Sequence, residues 1–164
     1  MTTTMTTTQV YRLWIKASPQ AVWDAITDPA WSRRYGYGAA SEYDLRPGGA
    51  YRVRSTAEMI AFGGPEFMAE GEVLEADPPH LLVQTWHALF NDVTSAEPAT
   101  RLTWELVEEN GATRLTVTHE LAEAPAAAVF TAGDAEGGAG GGWPFILSDL
   151  KTLLETGQNM AAAG

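Results

Sequence analysis

His119 lies in the alternating run from Thr113 to Leu121, where Leu115, Val117, His119 and Leu121 share one face. An imidazole on an otherwise apolar face can orient a ligand or act as a general base. The competing reading is a core histidine satisfied by a neighbouring backbone or hydroxyl group. His80 follows a Pro-Pro turn and His87 falls opposite Trp86, so both belong at the surface. Three isolated histidines show no metal-binding spacing, and no metal or cofactor is expected. The chain has no cysteine, which excludes disulfides, thiol nucleophiles and thiolate metal sites. Glu58, Glu70 and Glu72 read as solvated carboxylates rather than a catalytic pair. No Gly-x-Ser-x-Gly elbow is present, so His119 is the one weak catalytic candidate.

The elements that must carry these residues are mostly strands. Val10 to Lys16 alternates, with Tyr11, Leu13 and Ile15 on one face and Arg12, Trp14 and Lys16 on the other. Ser18-Pro19 is a helix start, Val22, Ala25 and Ile26 form the helix's apolar stripe, and Asp28-Pro29 ends it. Ala30 to Tyr35 is expected to be a second short helix, broken by Gly36 and Gly38. Strands follow at Ser41 to Arg46 and Ala50 to Thr56, joined at Pro47-Gly48-Gly49, then at Phe67 to Ala76 and Leu82 to His87. After a loop from Asn91 to Ala99, Arg101 to Glu108 and Thr113 to Leu121 flank an Asn110-Gly111 turn. A helical turn near Ala126 to Phe130 precedes a closing helix from about Trp143 to Met160, with Gly157 as a stop signal. Ile146, Leu150, Leu153 and Leu154 are its apolar stripe.

Strand alternation puts Leu82, Gln84 and Trp86 on one face, and Leu102, Trp104 and Leu106 on another. Thr103, Glu105, Thr116, Thr118 and Glu120 should face water. Tyr51 and Val53 point inward if Arg52 and Arg54 face out. Gly137 to Gly142 lacks the Lys-Ser/Thr of a phosphate loop and is expected to be a flexible lid or hinge.

Bulk properties bound the function. Of 164 residues, 45% are hydrophobic and six are Trp, a composition that folds around a core. The net charge of −11 repels phosphate backbones and anionic bilayers, so neither nucleic acid nor membrane is an expected partner. Residues 1–9 read as a disordered leader with no signal-peptide character, residues 10–162 as one domain, and the location as cytoplasmic.

Runs of strands with helices at the ends indicate an α+β fold. The order resembles the helix-grip fold of the START and Bet v type, a curved antiparallel sheet of about six to seven strands wrapped around a long C-terminal helix, with two short helices after the first strand. Within it the chain resembles the branch named after the activator of the heat-shock-protein ATPase, grouped with polyketide-cyclase-like proteins. The residues that carry this are Ala17 to Trp23, Asp28-Pro29, Arg46 to Gly49, Gly71 through Asp77-Pro78-Pro79, Thr85-Trp86, Thr113-Arg114-Leu115 through Thr118-His119-Glu120, and Gly141-Gly142-Trp143-Pro144. The segment Trp31 to Gly38 and the glycine run before Trp143 depart from the family pattern.

The resemblance implies a pocketed scaffold rather than one chemistry. The first expectation is a small apolar or aromatic ligand bound between sheet and helix by Tyr51, Val53, Trp86, Trp104, His119, Trp143, Phe145 and Leu150. The alternatives are a cyclase or dehydrase using His119 as acid–base, and a chaperone-ATPase activator. A homodimer through an exposed sheet edge or the segment around Trp31 is a further expectation about partners.

Overall fold

The computed structural model describes residues 7–134, 136 and 140–161. Seven antiparallel strands form one sheet: β1 (Thr8–Ile15), β2 (Ala40–Tyr43), β3 (Ala50–Arg54), β4 (Phe67–Asp77), β5 (Leu81–Ala88), β6 (Thr100–Glu109) and β7 (Ala112–Glu120). Their order is β1-β7-β6-β5-β4-β3-β2, so β1 closes back beside β7 while β2 to β7 form a meander. The helices are α1 (Pro19–Thr27), α2 (Pro29–Ser32), α3 (Ala57–Ala61), α4 (Asp92–Ala96), α5 (Pro125–Ala132) and α6 (Gly142–Thr156). Leu147, Leu150 and Leu153 of α6 join Leu82, Leu102, Leu106, Leu115 and Val117 of the sheet in the core.

Local chemistry explains where elements begin and stop. The Ser18 hydroxyl accepts from Ala21 N at 3.1 Å and caps α1. Asp28 closes α1 through its own N–H and opens α2 through its carboxylate, which accepts from Ala30 N at 2.9 Å. The helix predicted over Ala30–Tyr35 is therefore the shorter α2, because the chain turns away through Gly36 and Gly38, both at positive φ. Helix α5 has no side-chain cap of its own. Instead, the Glu97 carboxylate accepts from Ala126 N at 2.8 Å and Ala127 N at 3.0 Å, placing an anion where the helix dipole favours one.

Several expectations shift. The strand predicted to Arg46 ends at Tyr43, since Arg46 N turns back onto Asp44 O. Thr8 and Gln9, expected in the leader, belong to β1, where the Gln9 side chain donates to Ala128 O and accepts from Thr131 Oγ1. Residues 1–6 lie outside the described residues. The closing helix ends at Thr156, four residues before Met160, because Gly157 adopts a left-handed conformation and its N–H returns to Leu153 O. Helices α3 and α4 carry no periodic signal at five residues each and are not predicted. Thr116 is covered rather than solvated, with Arg12 Nε donating to its hydroxyl at 3.1 Å.

Both edges of the sheet meet the chain's own side chains. Along β1, Lys151 Nζ bonds Trp14 O and Lys16 N bonds Glu155 Oε2. At β2, Ser41 N donates to Ser32 Oγ at 2.8 Å.

Gly157 sits at φ 82°, where a side chain is strained. Gly157→Ala is expected to lower the unfolding free energy by about 1 kcal/mol, read from the urea midpoint at constant m-value. No loss would mean that α6 does not depend on that left-handed turn.

Candidate functional site

A cavity of about 460 Å³ opens between the sheet, α6 and the helices that flank it. Tyr43, Tyr51, Val53, Ala69, Trp86 and Trp104 form its sheet wall. Ile26, Ser32 and Tyr35 close one side, Phe90 and Phe130 another, and Trp143 and Ile146 the α6 side. The aromatics meet edge to face: Phe130 on Phe90 at 5.2 Å, Phe90 on Trp86 at 5.9 Å and Trp104 on Trp143 at 5.3 Å between ring centres.

Two buried polar groups hold this wall. The first is Gln84, fully buried on β5, whose Oε1 accepts from Tyr43 Oη at 2.6 Å and Trp104 Nε1 at 3.1 Å. Its amide nitrogen donates to Thr85 O.

The second is His119. Thr100 Oγ1 donates to Trp86 O at 2.8 Å, so its lone pair faces His119 Nε2, also at 2.8 Å. Trp143 Nε1 donates to His119 Nδ1 at 3.2 Å. The indole has only a donor to offer, so Nδ1 must accept, and the network assigns the proton to Nε2. Both ring nitrogens are then satisfied in a neutral imidazole. Burial pushes its pKa down to about 3, from the usual 6.5.

Of the residues expected to bind a ligand, Tyr51, Val53, Trp86, Trp104 and Trp143 come together on the cavity wall. His119, Phe145 and Leu150 do not line it. His119 stands behind Trp86 and Trp143, with its ring centre 4.9 Å and 6.0 Å from theirs. Phe145 is two residues past Trp143, which turns it to the outside of α6, where it packs on Tyr37 at 5.3 Å. Leu150 lies two turns further along α6, about 10 Å from Trp143, and is core.

Sequence reasoning missed Tyr43, Tyr35, Ser41, Gln84 and the Phe90–Phe130 pair. Tyr43 had a usable signal: Pro47 is midway between Tyr43 and Tyr51, and the two are register partners across the hairpin. The pairing of Phe90 with Phe130 across forty residues had none.

The mouth is shaped by Tyr37, whose hydroxyl accepts from Gly141 N at 2.7 Å. Gly140 sits at φ 77°, where a side chain is strained, and a Cβ there would also fall 2.8 Å from that hydroxyl. Asp134 N bonds Gly140 O at 2.8 Å and closes the base of the glycine-rich segment. The middle of the expected lid, Gly137 to Ala139, lies outside the described residues. Nearby, the buried Asp149 carboxylate ties Gly36 N and Met160 N to α6 at 2.8 and 2.7 Å. Among the described residues no three acidic or histidine side chains converge on a metal position. No helix among them is long and apolar enough to cross a membrane.

A curved antiparallel sheet closed over a C-terminal helix, with a cavity between them, defines a helix-grip protein. The family model described as "Activator of Hsp90 ATPase homolog 1-like protein" matches residues 16–155, and the chain belongs to that family. Among solved structures it is similar to DynU16, a protein of the dynemicin biosynthetic locus, at 25% identity and TM-score 0.65, covering 93% of this chain and 48% of that one. CalU16 from Micromonospora echinospora shares the fold at 22% identity and TM-score 0.64, with 94% and 69% covered. The Aha1 dimer from Colwellia psychrerythraea shares it at 16% identity and TM-score 0.60, with 93% and 99% covered. This chain spans 59% of CalU16 in its crystal structure and about half of DynU16. No curated protein matches it.

The neutral, buried His119 sets a pH dependence. Its pKa is lower in the folded protein than in the unfolded chain, so its contribution is complete above about pH 6.5 and is lost as pH falls toward 3. Between pH 7 and 5 the wild type is expected to lose about 2 kcal/mol more unfolding free energy than His119→Gln, which keeps an acceptor and a donor but does not titrate. Urea unfolding at both pH values measures this. Equal losses would show that the imidazole is free to protonate in the fold.

Proposed function

We propose that the chain binds a small, predominantly apolar aromatic molecule in the cavity between the sheet and α6. One observation carries this reading: a space of about 460 Å³ is walled by aromatic and aliphatic side chains, and none of the lining residues is charged. Such a space is large enough for a ligand of several rings, and burying an aromatic surface there is favourable. The polar atoms of the wall are mostly turned outward into their own hydrogen bonds, which leaves apolar ring surface facing inward.

Acid–base catalysis by His119 fits less well. The ring is shielded by two tryptophans, both of its nitrogens are engaged, and its lowered basicity removes the proton-accepting role a general base needs at neutral pH. Activation of a chaperone ATPase rests on the family's description alone. A cytoplasmic location and partnership with a second copy belong to the same proposal.

The neutral probe N-phenyl-1-naphthylamine, which brightens in apolar surroundings, is expected to bind saturably at one site. Ala69→Phe, which places a ring in the cavity from β4, should weaken binding by at least about tenfold without lowering the melting temperature by more than a few degrees. No saturable signal from the wild type, or an unchanged affinity in the filled variant, would sink the cavity reading.

A further inference from the structure

We infer that the cavity selects a neutral, planar molecule bearing a hydrogen-bond-accepting carbonyl oxygen, and that the Tyr51 hydroxyl, flanked by Ser41 and the Trp86 indole, is the group that reads that oxygen. The inference names a ligand class for the cavity and therefore rests on the cavity being the binding site.

The argument begins with where each polar group of the wall sends its hydrogen. Tyr35 donates to Ala25 O at 2.8 Å, Tyr43 and Trp104 to Gln84 Oε1, Trp143 to His119, and Thr131 to Gln9 Oε1 and Ala128 O. These groups spend their hydrogens on the fold. At the mouth the exposed Tyr37 hydroxyl accepts from Gly141 N and keeps its own proton. Among the buried groups Tyr51 is different. It is buried on β3, its ring packs on that of Tyr43 at 4.6 Å, and four side chains stand where they can donate to its oxygen: Ser41, Trp86, Tyr43 and Gln84. Tyr43 gives its one proton to Gln84, and Gln84 gives one of its two amide hydrogens to Thr85 O. Ser41 and the Trp86 indole carry no other such commitment among the described residues, and a phenol oxygen has room for two such bonds.

With donors grouped around it, the Tyr51 oxygen faces the protein as an acceptor and has its own proton left to give. Among the described residues no hydrogen bond is donated by Tyr51, and the residue lines the cavity, so the proton is directed at whatever occupies the space. Accepted bonds polarise an O–H and strengthen it as a donor. Burial also holds the Tyr51 phenol above its ordinary pKa, which keeps the proton in place at neutral pH. Ser32, anchored by Ser41 N, puts a second hydroxyl on the same side of the cavity.

Charge supplies the other half of the selection. Among the described residues no Lys, Arg, His, Asp or Glu lines the cavity. A carboxylate or ammonium entering it would lose its hydration without a countercharge, whereas a ketone or quinone oxygen needs one donor. Across the hairpin, Gly71 is the register partner of Tyr51, and a Cβ there would collide with Thr85 O. Glycine at that point keeps β3, β4 and β5 close enough for Tyr51 and Trp86 to meet.

Three tricyclic probes of one shape test this by isothermal titration: fluorene, 9-fluorenone and fluorene-9-carboxylate. About 0.5 M salt screens the protein's own negative charge. Fluorenone is expected to bind about tenfold or more tightly than fluorene, and the carboxylate to bind at least tenfold more weakly than fluorenone. Tyr51→Phe should erase the advantage of fluorenone while leaving the affinity for fluorene within about twofold, which certifies that fold and cavity are intact. Equal binding of fluorene and fluorenone to the wild type would overturn the Tyr51 inference and leave the cavity reading standing. So would a carboxylate that matches the ketone, or a fluorenone advantage that survives in Tyr51→Phe. Failure of both neutral probes to bind would overturn the inference together with the cavity reading.

Discussion

The hydrogen bond from the Trp143 indole to His119 is the interaction on which the rest of the molecule turns. It joins the first turn of α6 to the last residues of β7, and it does so deep inside, where an unpaired indole N–H would be costly. Trp143 must be large to close the cavity and must still be satisfied at its one polar atom. A neutral histidine whose other nitrogen bonds Thr100 meets that need, and Thr100 in turn reaches Trp86 O. A single chain of bonds therefore fixes α6, β7, β6 and β5 relative to one another. Helix and sheet are held apart at a set spacing, and the cavity is the space that spacing leaves.

The same logic recurs at Gln84. A fully buried amide is an odd choice for a sheet centre, yet its oxygen anchors Tyr43 from one strand and Trp104 from another. Two buried polar residues thus orient Tyr43, Trp104 and Trp143 around the cavity. Aromatics alone would collapse onto one another, because ring burial is non-directional. Directional bonds at the back of Tyr35, Tyr43, Trp104 and Trp143 oppose that collapse, and these rings stand as walls.

The architecture could be read from local patterns because those patterns are strong. Ser18-Pro19, Asp28-Pro29, Asn110-Gly111 and Gly157 each do in the structure what their chemistry prescribes. Alternation in β5, β6 and β7 puts Trp86, Trp104 and His119 inside. Whether an inward residue reaches the cavity or stops in the core is a matter of depth, and alternation carries no depth. His119 and Leu150 show this, for both are buried and neither lines the cavity. Phe145 fails for another reason: it is two residues past Trp143, and about 200° of rotation about the helix axis sends its ring outward. The two five-residue helices were illegible because a single turn has no period to detect. Capping of α5 by Glu97 was equally hidden, since it acts across twenty-nine residues.

The lysine and glutamate of α6 that reach over to β1 have a consequence beyond packing. An eight-residue edge strand is a template on which another chain can grow, and templated growth is how sheet proteins aggregate. Here Lys151 and Glu155 occupy backbone groups at one end of that template, and α5 grips the Gln9 side chain at the other. A foreign strand pairing at either end of β1 would have to displace these contacts. The helices that shape the interior thus also guard the two ends of the sheet's flank.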